Sequence, residues 1–177
     1  MFPCLQSRVR SRSSAVPEGL IENHPAIDRV RAALAAAGVP ASIVALPDAA
    51  RTARAAADAI GCTVAQIANS LVFRCENSGV PLLVITSGAN RVDTARVAAL
   101  VGEPIGKADA AFVRAATGFA IGGVAPVAHV APVQTLIDRD LFRHDEVWAA
   151  AGHPHTVFRL SPEALVRLTG GTVVEVA

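Results

Sequence analysis

The sequence predicts an α+β domain in which helices pack around a mixed, largely antiparallel sheet. Three observations carry that expectation. Segments of helical period alternate with segments of strand character, and several connections have hairpin length. Hydrophobic residues, chiefly Ala, Val, Leu and Ile, make up 52% of 177 residues, enough for one domain with a proper core. No apolar run approaches the roughly 20 residues of a membrane span, so no membrane partner is expected.

Residues 1–23 stand apart. Arg8, Arg10 and Arg12 alternate with Val9, Ser11 and Ser13, and no apolar stretch follows. That pattern predicts a disordered basic extension rather than a secretory signal, and leaves 24–177 as the domain. From Pro25 the period turns helical, with Ile27, Val30, Leu34 and Ala37 on one face and Gly38 as the stop. Residues 42–46 read as a strand ended by Pro47. A second helix follows Thr52, carries Ala53, Ala56, Ala57 and Ile60, and ends at Gly61.

Thr63-Val64-Ala65-Gln66 has the form of a capping box, so a short helix should start at Val64. Leu71-Val72-Phe73 and residues 80–86 form a hairpin around the turn Asn77-Ser78-Gly79. This reading puts Asn69 and Ser70 where helix passes into strand, on a rim. Asp93 and Asp109 are N-caps of two further helices, stopped by Gly102 and Gly118. Strands are expected over 135–138, over 146–149 with Trp148 in the core, and over 156–160. Ser161-Pro162-Glu163 opens the last helix, Gly170-Gly171 ends it, and 172–176 closes the chain as a strand.

The stretch most able to carry chemistry is 117–126. It runs from Thr117 and Gly118 through the strand-like Phe119-Ala120-Ile121 to Gly122 and Gly123, and Pro126 closes it. Proline fixes its own φ and biases Ala125 towards an extended conformation, so the bend should be stiff. A stiff glycine bend can aim several N–H groups at a phosphate, a carboxylate or a developing oxyanion. From the glycines alone, a plain turn without a ligand is the favoured reading, because Gly-Gly is ordinary turn punctuation.

The remaining candidates each have two readings. His129 lines a pocket mouth or lies on a surface loop, and Asp138 is a turn acceptor or a pocket residue. Arg51, Arg54, Arg74, Arg91, Arg96 and Lys107 form an RNA-facing patch or a solvated surface. The net charge of +1 exerts no general pull on nucleic acid, and no DNA partner is expected. Cys4, Cys62 and Cys75 have no C-x-x-C spacing, which points to a reduced, cytoplasmic protein. His153 and His155 form an H-x-H pair without a supporting carboxylate or cysteine, so neither metal nor other cofactor is expected. There is no G-x-S-x-G elbow and no Ser/His/Asp set.

Taken in order, residues 63–73, 87–93, 117–126, 145–152 and 160–170 resemble the YbaK/ProX family, relatives of the editing insertion of bacterial prolyl-tRNA synthetases. The likeness spans about 25–176. Ile67-Ala68-Asn69-Ser70-Leu71-Val72-Phe73, Thr117-Gly118 with Gly122-Gly123-Val124-Ala125-Pro126, and residues 147–152 followed by Leu160-Ser161-Pro162 carry most of it. The resemblance implies a sheet curled into a partly closed barrel. It also implies a freestanding deacylase that hydrolyses the ester of a tRNA, often tRNA for proline, charged with a small wrong amino acid.

On that resemblance Gly122, Gly123, Val124, Ala125 and Pro126 form the catalytic oxyanion loop. Asn69 is the further catalytic residue, placed beside the substrate, and Ser70, Thr117, His129, Asp138 and Ala150 line the binding site. The acceptor end of the tRNA is the partner, and hydroxyls of its ribose help to activate the attack, so no protein nucleophile is required. Two positions depart from the family pattern: Asn69 replaces a usual lysine, and Ala150 a frequent serine. Asn69 feeds one rival, a non-catalytic module binding tRNA or a small ligand in the same pocket; a third reading is a general small-ester hydrolase that does not need RNA.

Overall fold

The computed structural model describes residues 24–47 and 52–177; the expectations for 1–23 and for Arg51 lie outside the described residues. The elements are α1 (Pro25–Ala36), β1 (Ile43–Ala45), α2 (Ala53–Ile60), a 3-10 turn (Val64–Gln66), β2 (Ile67–Cys75), β3 (Pro81–Ser87), α3 (Thr94–Val101) and β4 (Ile105–Lys107). They continue with α4 (Ala110–Thr117), β5 (Gln134–Asp138), a second 3-10 turn (Arg139–Arg143), β6 (Val147–Ala150), β7 (Thr156–Leu160), α5 (Pro162–Thr169) and β8 (Thr172–Val174).

Local chemistry sets the helix ends. Asp93 accepts from the amides of Ala95 and Arg96, Asp109 from Phe112, Thr52 from Ala55 and Ser161 from Ala164. Each satisfies donors that the first turn leaves open, worth about 1 kcal/mol apiece. Helices α2, α3, α4 and α5 all end on a left-handed glycine.

The strands form one mixed sheet in the order β1-β7-β6-β2-β3-β5-β8. β2–β3, β2–β4, β6–β7 and β1–β7 are antiparallel; β2–β6, β3–β5 and β5–β8 are parallel. The mixed α+β architecture matches the expectation, but the sheet is open: β1 and β8 end the path without pairing to each other.

Three elements differ from the sequence reading. β2 starts at Ile67, because the capping box supports only a single 3-10 turn. Asn69 and Ser70 therefore lie within a strand, opposite Thr86 and Ile85, rather than at a helix-to-strand passage. β4 pairs with the far end of β2, and Phe119-Ala120-Ile121 is a turn rather than a strand.

Alternation along β2 decides what faces what. Ala68 and Val72 point into the main core with Leu83, Ile85, Ile137 and Phe158, under α1 and the loop after α4. Ile67 points to the other face, where Trp148, Val157 and α2 form a second cluster. Trp148 is thus a half-buried edge of that cluster, not the centre of the main core.

Glu103 ties the β2–β3 hairpin from outside. Its carboxylate accepts from the amides of Asn77 and Ser78 and from the Ser78 hydroxyl. The Ser78 amide, then its hydroxyl, hold the Glu103 carboxyl below its ordinary value of 4.5. A depressed carboxylate pKa contributes stability above the unfolded value and loses it as pH falls through the folded one. The wild type is therefore expected to be more stable than Glu103→Gln at neutral pH, and the gap should close as acid drops below that range. Urea unfolding across pH reads this directly; a gap that does not change with pH would rule out the ionic tie.

Candidate active site

The loop after α4 is built on a buried helix end. Thr117 is fully buried, and its hydroxyl donates to the Val113 carbonyl while accepting from the Phe119 amide. Gly118 follows at φ 76°, where a Cβ would lie 2.6 Å from Val130 and 2.8 Å from the Arg29 guanidinium. That close approach lets Arg29 of α1 donate to the Gly118 carbonyl at 3.1 Å and stack 4.9 Å from the Phe119 ring centre. Phe119 is itself a core plug, which accounts for the apolar run that mimics a strand.

The chain then turns. The Gly123 amide donates to Ala120 at 3.0 Å, so this glycine is not an open donor as the sequence suggested. Gly122 is exposed and Val124 is 4% exposed, and neither amide meets an acceptor among the described residues. Among the described residues the amides of Ile121 and Ala125 likewise meet no acceptor, so only the Gly123 amide within this turn is bonded. Ala125 is sealed at 0% exposure, and its carbonyl accepts the Nε2–H of His129 at 2.8 Å.

A second segment closes on this loop. A Cβ on Gly123 would sit 2.7 Å from the His153 carbonyl carbon and 2.8 Å from its Cα. The turn between β6 and β7 brings His153 to 5.1 Å from His24 and 5.4 Å from His155, ring centre to ring centre. Burial, then the charges of His24 and His155, push the His153 imidazole below its usual range. His24 Nδ1 is buried without a hydrogen-bond partner among the described residues. Among the described residues no cluster of His, Cys, Asp and Glu has the arrangement to hold a metal.

The other candidates form a separate row on the sheet. Asn69 lies two residues from Ile67 and opposite Thr86, on the face of the second cluster. Ala150 lies two from Trp148, which pairs with Ile67, so it shares that face on the neighbouring strand. Asp138 extends the row, with Thr86 donating to its carboxylate at 3.1 Å. The amides of Ser87 and Asp140 and the Asn90 side chain also donate to it, all within 3.0 Å. Ser70 points the opposite way, and its buried hydroxyl has no hydrogen-bond partner among the described residues.

Of the basic residues, Arg74 and Lys107 stand close on paired strands, and Arg74 stacks on Phe112. Arg96 is engaged by Glu175. His24 and Arg29 were not foreseen, and Gly152 was noted only as the end of a segment that carries the resemblance. Arg29 lies on the polar side of an amphipathic helix, and nothing in its spacing marks a contact 89 residues away.

The family model described as aminoacyl-tRNA editing domain matches residues 47–168. The chain belongs to that family. A candidate trans-editing enzyme for prolyl tRNA synthetase, known by its crystal structure, is 43% identical with a TM-score of 0.81. The match covers 87% of this chain and 98% of that one. The crystal structure of hypothetical protein APE2540 is 28% identical with a TM-score of 0.77, over 84% of this chain and 98% of that one. Uncharacterized protein YwhH of Bacillus subtilis (strain 168) is 30% identical over 114 residues, 64% of this chain and 72% of its own. The YbaK-like resemblance therefore holds, and the glycine loop and the Asn69 row both fall within the matched editing-domain residues. No described helix is long and apolar enough to cross a membrane.

Proposed function

We propose that this editing-domain protein is a freestanding deacylase that hydrolyses the ester of a mischarged tRNA carrying a small amino acid. The observation that carries the reading is the glycine loop itself, held by a buried helix end and by the His153 turn, whose Gly122 and Val124 amides meet no acceptor among the described residues. Water attacks the ester carbonyl carbon, and the carbonyl oxygen takes up the negative charge. The two amides offset that charge as it develops, and one such donor is worth about 2.7–4 kcal/mol. The bond from carbon to ribose oxygen then breaks, and the ribose oxygen keeps a proton from the water. The products are the free amino acid and the uncharged tRNA. On this reading a hydroxyl of the ribose orients the water. The acceptor end lies across the face of Asn69 and Ala150, whose small side chains leave room for the aminoacyl group.

A panel of tRNAs charged with alanine, serine, threonine and cysteine tests the proposal. Turnover of one member above the rate of spontaneous loss supports it. Binding without turnover selects the non-catalytic module, and equal hydrolysis of simple aminoacyl esters selects a general esterase.

Asn69 offers a separate check. Its amide hydrogen-bonds without adding charge. Asn69→Lys is expected to tighten tRNA binding and steepen its salt dependence by about one phosphate contact. Asn69→Ala is expected to slow deacylation by up to roughly tenfold, the scale of one polar contact. Unchanged affinity and rate in both variants would place the substrate elsewhere.

A further inference from the structure

His129 makes a contact that neither its loop position nor its chemistry as a substrate ligand explains. Its ring turns back on its own loop, with Nε2 2.8 Å from the Ala125 carbonyl. A carbonyl only accepts, so Nε2 carries the proton and Nδ1 keeps the lone pair. The reversal is built on strained backbone. Ala128, immediately before it, has φ 63°, a left-handed conformation that is costly for a residue with a side chain. The ring is then wedged edge-on against Phe119, centre to centre 6.1 Å, and Arg29 stacks on that same Phe119. A chain of contacts thus runs from α1 through Phe119 and His129 to Ala125.

We propose that His129 is the positioning residue of the Gly122–Val124 amide pair, acting through the Ala125 carbonyl. Fixing that carbonyl sets the peptide plane between Ala125 and Pro126. Pro126 has a locked φ, so the chain is held on the C-terminal side of Val124, and the Gly123–Ala120 bond holds it on the N-terminal side. Burial lowers the His129 pKa, with Arg29 adding to the effect against the opposing bond to Ala125, which favours the neutral ring. The proposal rests on the deacylase reading for its effect on rate, but the pin itself is a property of the free protein.

The test compares two variants with the wild type. His129→Gln places an amide N–H where the ring Nε2 was, and His129→Leu fills similar volume without a donor. On the tRNA that the wild type deacylates, His129→Leu is expected to lower kcat about tenfold, the scale of one hydrogen bond. KM should stay within about twofold, since no substrate contact is removed. His129→Gln should recover most of the rate. A raised KM at unchanged kcat would make His129 a substrate ligand and overturn the proposal, as would full activity in a folded His129→Leu.

Nitrogen NMR of the wild type supplies an arm that needs no substrate and no variant. A protonated Nε2 and a bare Nδ1 are expected, and the opposite tautomer overturns the pin. Amide order parameters at Gly122 and Val124 should fall in His129→Leu and hold in His129→Gln. If the wild type deacylates none of the charged tRNAs while these signatures stand, the deacylase reading fails and the pin survives.

Discussion

Gly123→Ala is expected to reduce deacylation by about 10²-fold or more, the scale of losing an oxyanion donor. The reason is steric and local. The new methyl group would sit 2.7 Å and 2.8 Å from backbone atoms of His153, and backbone cannot rotate away as a flexible side chain can. The loop must lift from the His153 turn, carrying the amides of Gly122 and Val124 with it. Gly122→Ala should be milder. Its methyl would meet only the Pro154 ring at 3.7 Å, leaving the cost of φ 87°, about 1–2 kcal/mol for a residue with a side chain. Single-turnover deacylation, with circular dichroism as the check on folding, reads both. A folded Gly123→Ala at the wild-type rate would remove the loop from the chemistry.

Asp138→Ala is expected to be the most damaging change to stability, about 3–4 kcal/mol by urea unfolding. The carboxylate is 1% exposed and accepts from the Ser87 and Asp140 amides, the Thr86 hydroxyl and the Asn90 side chain. Removing it leaves those donors inside the protein without a partner, at about 1–3 kcal/mol for each that water cannot reach. Asn90 keeps its bond to Asp140, which limits the total. Against a typical stability of about 5–15 kcal/mol the loss is a large share. A loss below about 1 kcal/mol would mean that water satisfies the stranded donors.

Much of the fold was legible because short-range chemistry wrote it. Asp93, Asp109 and Ser161 cap the helices they announce, and Gly61, Gly102, Gly118 and Gly170 stop them. What escaped was set by partners far away. β4 is Ile105–Lys107, too short for any period, and exists because the far half of one β2 edge is free to pair with it. Phe119 reads as strand because it is apolar, whereas it serves as a plug beneath Arg29.

The candidate site divides along the same line. Glycine and proline at 122, 123 and 126 signalled a stiff bend, and the bend is there. Which amides it leaves open was not legible, because the bond from Gly123 to Ala120 depends on the turn that replaces the expected strand. Asp138 could be named as a turn acceptor, which its bond from the Asp140 amide makes it, but its donors at Ser87 and Asn90, about fifty residues earlier, could not be read.

The junction of α1, the glycine loop and the β6–β7 turn bears on the order in which the molecule is made. Gly152 meets Ala26 there, with a Cβ that would lie 2.8 Å from the Ala26 carbonyl oxygen. Arg29 reaches Gly118 across 89 residues. Contacts of that span repay their loop-closure entropy only after nearer pairings, such as the β2–β3 hairpin, have formed. On a ribosome the loop at 117–129 emerges before its clamp at 151–155 exists. On the deacylase reading, the loop is expected to take its final shape late in folding, when the β6–β7 turn docks against α1, so a nascent chain with only its first hairpin would not yet carry the proposed oxyanion site.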